Sequence, residues 1–113
     1  MHELGICDAV LKTVDGIAKQ EQLTVVSRVT LEVGMLSGVV PAFLTDCWQA
    51  VIDGTPYQDT ELAIETVNGL ARCYDCGYEF SADLERLWCP KCASRRLTPL
   101  TGTDLTIKEI EGD

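Results

Sequence analysis

Four of the six cysteines occur as two Cys-x2-Cys pairs, and this spacing constrains the fold more than any other feature of the chain. The pairs are Cys73/Cys76 and Cys89/Cys92, with twelve residues between them. Each pair fits a tight turn that directs two sulfur atoms to one point, and two such turns supply the tetrahedron of thiolates typical of structural zinc. Because protein atoms would fill all four positions, such a site leaves none for a catalytic water.

The cysteine spacing is also compatible with local disulfides, free thiols or a rubredoxin-like iron centre. If Met1 is the natural start, Glu3 and Asp8 occupy the region where a signal peptide would be basic, and no long apolar run follows. No stretch approaches the ~20 apolar residues of a membrane span. We therefore expect a cytoplasmic protein with reduced thiols, in which paired cysteines bind metal and zinc is favoured over iron.

The charge of the chain argues against nucleic acid as a partner. Its 113 residues, about the length of one domain, include 18 acidic and 9 basic residues, for a formal net charge of −9. Such a surface repels phosphate backbones. Arg95 and Arg96 form the only basic spot in the cysteine-rich segment, and we interpret them as a solvated turn.

Hydrophobic periodicity predicts two helices and three strands. Apolar residues recur at helical spacing over Leu4–Ala18, and a second helix begins near Pro41, which suits a first helical turn. Alternating patterns predict three strands: Thr24–Val33, Glu61–Val67 and Thr103–Ile110.

The simplest arrangement is an α+β fold with two helices on one face of a three-stranded sheet and an inserted zinc-ribbon lobe that carries the four paired cysteines. Residues 1–70 plus 98–113 would form the main domain, and residues 71–97 a lobe inserted before the last strand. Cys7, Cys47 and Trp48 are expected in the core, and Trp88 over the lobe. In the first strand, the predicted buried face comprises Val25, Val29, Leu31 and Val33, opposite Arg28, Thr30 and Glu32.

The first three residues form a second candidate metal site. The α-amine, the His2 amide nitrogen and the His2 imidazole can close two adjoining chelate rings, and Glu3 adds a carboxylate. Nitrogen-rich planar chelation suits Ni(II) or Cu(II) and disfavours tetrahedral zinc. Any Met-His start offers these groups, so on chemistry alone His2 is either a ligand or an ordinary surface residue.

Three features together resemble the HypA/HybF family of hydrogenase-maturation nickel metallochaperones: Met1-His2-Glu3 opening a helix, the loop of residues 34–41, and the two distal cysteine pairs. The resemblance spans almost the whole chain. It implies that Met1, His2 and Glu3 bind Ni(II) for transport and that the four paired cysteines hold structural zinc. It also implies delivery to a nickel–iron hydrogenase large subunit with a hydrogenase-maturation GTPase, and some members also serve urease.

We therefore predict a nickel metallochaperone and not an enzyme, since the chain has no nucleophile–base pair and no Walker-type phosphate loop. Neither a membrane nor nucleic acid is an expected partner. The alternatives are a zinc-ribbon module that binds protein or nucleic acid, and a rubredoxin-like electron carrier. Neither alternative accounts for Met1-His2-Glu3. Two departures from the family pattern are Gly5-Ile6 after the motif and the absence of histidine beside the paired cysteines.

Overall fold

The computed structural model describes residues 2–113, with side chains from Glu3 onward, so Met1 and the His2 side chain lie outside the described residues. No helix in this range is long and apolar enough to cross a membrane. The elements in chain order are α1 (His2–Gln20), β1 (Val26–Gly34), α2 (Pro41–Ile52), β2 (Glu61–Val67), β3 (Gly69–Cys73), β4 (Glu79–Ala82), β5 (Leu97–Thr101) and β6 (Leu105–Gly112).

The fold is the α+β class predicted from the sequence, and β2 has the predicted bounds. Strands β2, β1 and β6 form one three-stranded sheet in that order. Helix α2 begins at Pro41, where the missing N–H leaves no helical hydrogen bond unmade. The alternation did not predict β3, β4 and β5, which form a separate sheet in the order β4-β3-β5.

The chain forms two compact units. The first contains the chain up to Leu31 together with Val40–Glu65 and Ile107–Asp113. The second contains Glu32–Val39 and Thr66–Thr106, and therefore all four paired cysteines. The functional division into residues 1–70 plus 98–113 and residues 71–97 stays a prediction.

The two helices build much of the core of the first unit. Cys7 Sγ on α1 donates a hydrogen bond to the Leu44 carbonyl on α2 at 3.3 Å. Burial raises the pKa of Cys7 to about 11, with further contributions from Cys47 and Glu3, so Cys7 stays a neutral thiol. The predicted core positions of Cys7 and Cys47 are confirmed. The buried helical side chains are Cys7, Val10, Val14, Ala18, Leu44, Cys47, Trp48 and Ile52.

Thr60 joins α2 and β1 by hydrogen bonds made in the interior. Thr60 is only 3% exposed. The Thr60 hydroxyl donates to the Val26 carbonyl at 2.7 Å, and the Thr60 carbonyl accepts from Trp48 Nε1 at 3.0 Å. The indole N–H of the largest core side chain is thereby satisfied, as burial of a polar group requires.

Strand β1 departs from the simple alternation predicted for it. Val25, expected in the core, precedes the strand and is 57% exposed, whereas Val26 is buried. Thr30, expected to face solvent, is 6% exposed. The physical reason is that β1 is the central strand of its sheet and is covered on both faces at residues 29–31, which are buried in succession.

A glycine contact explains why Glu32–Val39 belongs to the second unit. Gly34 donates its N–H to the Asp104 carbonyl at 2.9 Å, and Leu36 donates to the Gly102 carbonyl at 2.7 Å. A Cβ on Gly34 would lie 2.0 Å from the Gly102 carbonyl oxygen, so no other residue fits there without movement of the backbone. The sequence marked Gly34 only as the start of a loop.

We expect Thr60→Val to lower the free energy of unfolding by about 1–2 kcal/mol, because it removes the hydroxyl donor of a buried carbonyl at nearly constant volume. Thr13→Val is the matched control, since the Thr13 hydroxyl bonds the Ala9 carbonyl on an exposed helix surface. At this exposed site water replaces the Thr13 hydroxyl as a donor, so the free energy of unfolding should fall by less than about 0.5 kcal/mol. Urea unfolding followed by helical circular dichroism measures both, and equal losses would contradict the role given to Thr60.

Candidate metal centre

The sulfur atoms of Cys73, Cys76, Cys89 and Cys92 converge and lie within 4.8 Å of one another. The close pairs join one motif to the other: Cys73 to Cys92 at 3.5 Å and Cys76 to Cys89 at 3.6 Å. All four are free thiols, far from the ~2 Å of a disulfide bond. Four sulfurs at about 2.3 Å from one zinc ion would lie about 3.8 Å apart. The cluster therefore has the donor chemistry and spacing to hold one tetrahedral ion.

The two Cys-x2-Cys turns have matching backbones. In each turn the N–H of the first cysteine donates to the carbonyl five residues ahead, at 2.8 Å in both. Its own carbonyl accepts from the N–H four residues ahead, at 2.9 Å and 2.8 Å. The residue after the second cysteine has a positive φ in both turns, 78° at Gly77 and 63° at Ala93. Each turn thus brings its two sulfurs to the same point by the same hydrogen bonds.

Ala93 is a site residue that the sequence analysis missed. Gly77 adopts its conformation at no steric cost, whereas an alanine with positive φ costs about 1–2 kcal/mol. The available signal was positional, since Ala93 follows its cysteine pair as Gly77 follows the other. The second turn therefore carries a strain that the first avoids.

Local hydrogen bonds and burial set the pKa values of Cys73 and Cys92. Burial opposes ionisation of Cys73, but donors from the Cys76 and Asp75 N–H groups and the Cys92 thiol outweigh it, lowering the Cys73 pKa to about 7. The Ser94 N–H favours a Cys92 thiolate, yet the bond to Cys73 and burial raise the Cys92 pKa to about 12. The Cys73 thiol is therefore more easily ionised than the Cys92 thiol, and metal binding would favour the thiolate forms.

Side chains also connect the two turns. Ser94 Oγ donates a short hydrogen bond to Asp75 Oδ2, and Asp75 Oδ1 pairs with the Arg96 guanidinium at 3.3 Å. The same guanidinium lies 4.3 Å from the centre of the Tyr74 ring, and the Tyr74 N–H donates to the Arg96 carbonyl at 2.8 Å. Arg96 is exposed, as expected for a solvated turn, and its guanidinium also joins the two turns through Asp75.

The N-terminal candidate site lies at the limit of the described residues. Glu3 is partly exposed in the first turn of α1. Met1 and the His2 side chain lie outside the described residues. The chelate of Met1, His2 and Glu3 therefore stays a prediction.

Residues 1–112 match the family model described as "Hydrogenase/urease nickel incorporation, metallochaperone, hypA". The chain belongs to the HypA family. Among relatives named "Hydrogenase maturation factor HypA", that of Chlorobium limicola is 36% identical over 116 residues, covering 100% of both chains. That of Streptomyces avermitilis is 38% identical over 112 residues, covering 97% of this chain and 86% of the relative.

The HypA fold is also shared with solved structures. The solution structure of the Ni metallochaperone HypA from Helicobacter pylori matches with a TM-score of 0.68 at 20% identity, covering 97% of this chain and 96% of that one. A second solution structure of a HypA protein gives the same TM-score at 21% identity, with 99% and 96% covered. The family resemblance predicted from the sequence is confirmed.

The metal would replace a hydrophobic core in much of the second unit of this HypA chain. Within Thr66–Thr106, the hydrophobic residues that are buried are two alanines and two of the cysteines: Ala71, Cys73, Ala82 and Cys89. Such small side chains bury little apolar surface. Folding of this segment is therefore expected to be coupled to metal binding.

We expect excess EDTA to unfold much of Thr66–Thr106 while the helices of the first unit remain folded. Amide NMR signals of the segment should then lose their dispersion and recover when Zn²⁺ is restored. Acidification should also unfold this segment, because protons compete with the metal for the thiolates. EDTA already saturated with Zn²⁺ is the control. A dispersed spectrum from protein shown to be metal-free would overturn the coupling.

The two turns also provide a reciprocal test. Ala93→Gly should stabilise the metal-loaded protein by about 0.5–1 kcal/mol, because glycine removes the strain of positive φ. Gly77→Ala should destabilise it by about 1 kcal/mol, and no steric clash contributes, since nothing lies within 4 Å of the added Cβ. Urea midpoints at fixed Zn²⁺ concentration measure both, and shifts of the same sign would count against the matched-turn description.

Proposed function

We propose that this chain binds Ni(II) through Met1, His2 and Glu3 and delivers it to the large subunit of a nickel–iron hydrogenase during maturation. The observation that carries the proposal is the match of residues 1–112 to a family of nickel metallochaperones for hydrogenase or urease. Glu3 lies in the first turn of α1 and is partly exposed, so its carboxylate is accessible beside the two preceding residues.

The chemistry of the N-terminal chelate suits a carrier. An α-amine, an amide nitrogen and an imidazole favour planar Ni(II) or Cu(II) coordination. With few ligands on a chain end, the ion keeps open positions, and an acceptor protein can take it by exchanging ligands one at a time. Nickel is cargo in this proposal and leaves with the acceptor.

The four-cysteine cluster holds zinc in this proposal. Four converging sulfurs in two matched turns suit a tetrahedral ion, and borderline-soft Zn²⁺ prefers such ligands. Because all four positions are protein thiolates, this zinc stabilises the fold and does not activate water. The role of residues 71–97 is then structural, whereas residues 1–70 plus 98–113 carry the nickel site.

The partners follow from the carrier role. We place the protein in the cytoplasm, where thiols stay reduced for zinc, as a non-enzymatic factor working with a hydrogenase-maturation GTPase. That GTPase supplies nucleotide hydrolysis. Urease accessory proteins are further candidates for the same transfer. The net charge of −9 disfavours nucleic acid as a partner.

The test is calorimetric titration of Ni(II) into zinc-loaded, untagged protein. His2→Ala should weaken binding by about 100-fold or more, because it removes the imidazole that closes one of the two chelate rings. Two extra residues before Met1 should weaken nickel binding to a similar extent, because the free α-amine is then no longer next to His2. Glu65→Gln is the control, because it removes a carboxylate on β2 that pairs with Lys108 at 3.0 Å; it should leave nickel affinity unchanged.

Zinc content must stay at one ion per chain in every variant. Nickel bound by the N-terminal chelate can then be distinguished from nickel bound by the cysteines. Wild-type binding should also weaken as pH falls from 8 to 6, because an amine of pKa about 8 and an imidazole of pKa about 6.5 then hold protons. Equal affinity in all forms would remove nickel from the N-terminus, and a zinc-ribbon interaction module would become the better description.

A further inference from the structure

A cleft of about 300 Å³ opens within the second unit. Ala71 on β3 and Ala82 on β4 contribute two of its smallest side chains, and both are buried. Larger aliphatic side chains line the rest, chiefly Leu36, Leu84, Leu87 and Leu97. Small residues next to large ones leave a depression, because alanine does not fill the space that its neighbours enclose.

The turn after β4 presents two of these leucines to solvent. Asp83 fixes the turn, since its side chain accepts from the Glu85 N–H at 2.9 Å and its carbonyl from the Arg86 N–H at 3.1 Å. Leu84 is 53% exposed and Leu87 43% exposed. Trp88, which the sequence analysis placed over the lobe, is exposed as well. Neighbouring exposed apolar side chains of this kind mark interaction sites.

One cation lies at the cleft. Arg95 lines it, and no carboxylate among the residues with described side chains lies within ion-pair distance of its guanidinium. Two other arginines of the second unit are paired: Arg72 with Glu79 at 2.9 Å and Arg96 with Asp75 at 3.3 Å. The chain has a net charge of −9, yet Arg95 lies beside an apolar cleft without a carboxylate partner among the described side chains. This arrangement favours a partner protein that supplies a carboxylate.

We propose that this cleft docks an extended peptide segment of a partner protein, one that carries an aliphatic side chain next to a carboxylate. The aliphatic side chain enters between Leu84 and Leu87, and the carboxylate pairs with Arg95. A volume of about 300 Å³ is at the lower end for ligand pockets and suits one or two such side chains. The acidic surface of the rest of the chain repels other acidic contacts, so Arg95 sets the register of the segment.

Three end-blocked pentapeptides test the proposal against zinc-loaded protein. The first alternates aspartate with leucine, the second replaces aspartate by lysine, and the third replaces leucine by serine. We expect the first to bind with a dissociation constant below about 1 mM and the other two at least about tenfold more weakly. Fluorescence anisotropy measures affinity, and amide shifts should concentrate at Leu36, Leu84 and Thr103.

Arg95→Glu should weaken binding of the aspartate–leucine peptide by about tenfold and reverse the binding preference in favour of the lysine peptide. Arg86→Glu is the matched control, because it makes the same charge change at an exposed arginine nearby that does not line the cleft. It should change affinity by less than about twofold. Leu84→Ser, which leaves Arg95 in place, should weaken the peptide as well, and zinc content and amide dispersion verify that each variant is folded.

No binding of the first peptide by wild-type protein at 1 mM would overturn the proposal. Equal losses in Arg95→Glu and Arg86→Glu would overturn it too, since they would indicate a general charge effect. A concentration-dependent dimer whose amide shifts fall on the cleft would instead assign the surface to a second copy of the chain. These outcomes are independent of nickel binding at the N-terminus.

Discussion

The convergence of four sulfur atoms on one point is the interaction on which the second unit depends. Its buried apolar residues between Thr66 and Thr106 are alanines and cysteines, too small to bury the surface that offsets the chain entropy of folding. The thiols do not all ionise readily in this arrangement, since the Cys92 pKa is raised to about 12. A divalent cation held by Cys73, Cys76, Cys89 and Cys92 would favour the thiolate forms and would join the two turns through a common centre.

The side-chain contacts around the cluster add to what the metal does. Asp75 accepts a hydrogen bond from the Ser94 hydroxyl of the other turn and pairs with Arg96. These side chains, which are not among the four sulfur ligands, therefore also hold the two turns together. Such contacts hold ligands in place before the metal arrives and reduce the entropy that binding must remove. The first unit is stabilised differently, by helices packed through Cys7, Leu44 and Trp48 around satisfied hydrogen bonds.

Sequence patterns predicted the features that depend on local rules. Cysteine spacing predicted the cluster, and helical periodicity with Pro41 predicted both helices, because spacing along one element fixes which side chains share a face. The errors fall where non-local contacts decide. Thr30 is buried because β1 is covered on both faces, and Ala93 takes a positive φ because its turn must match that of Gly77. Nor does local sequence show which of the two adjacent arginines is paired, since this depends on where Asp75 lies in the fold. Asp75 pairs with Arg96, whereas no carboxylate among the residues with described side chains lies within ion-pair distance of Arg95.

The two proposed metal sites differ in the property that a nickel carrier needs most, which is keeping its own structural metal apart from its cargo. Affinity alone does not separate the ions, because the affinity order of the divalent metals is much the same from one site to another. Geometry does. The four sulfur atoms of the two turns lie within 4.8 Å of one another, a spacing that suits a tetrahedral ion without d-electron preference. The α-amine, amide nitrogen and imidazole of the proposed N-terminal chelate would favour planar coordination. In this proposal the cysteine site would retain its metal because all four positions are closed. The N-terminal site would release its ion because an acceptor can add ligands before the carrier loses its own.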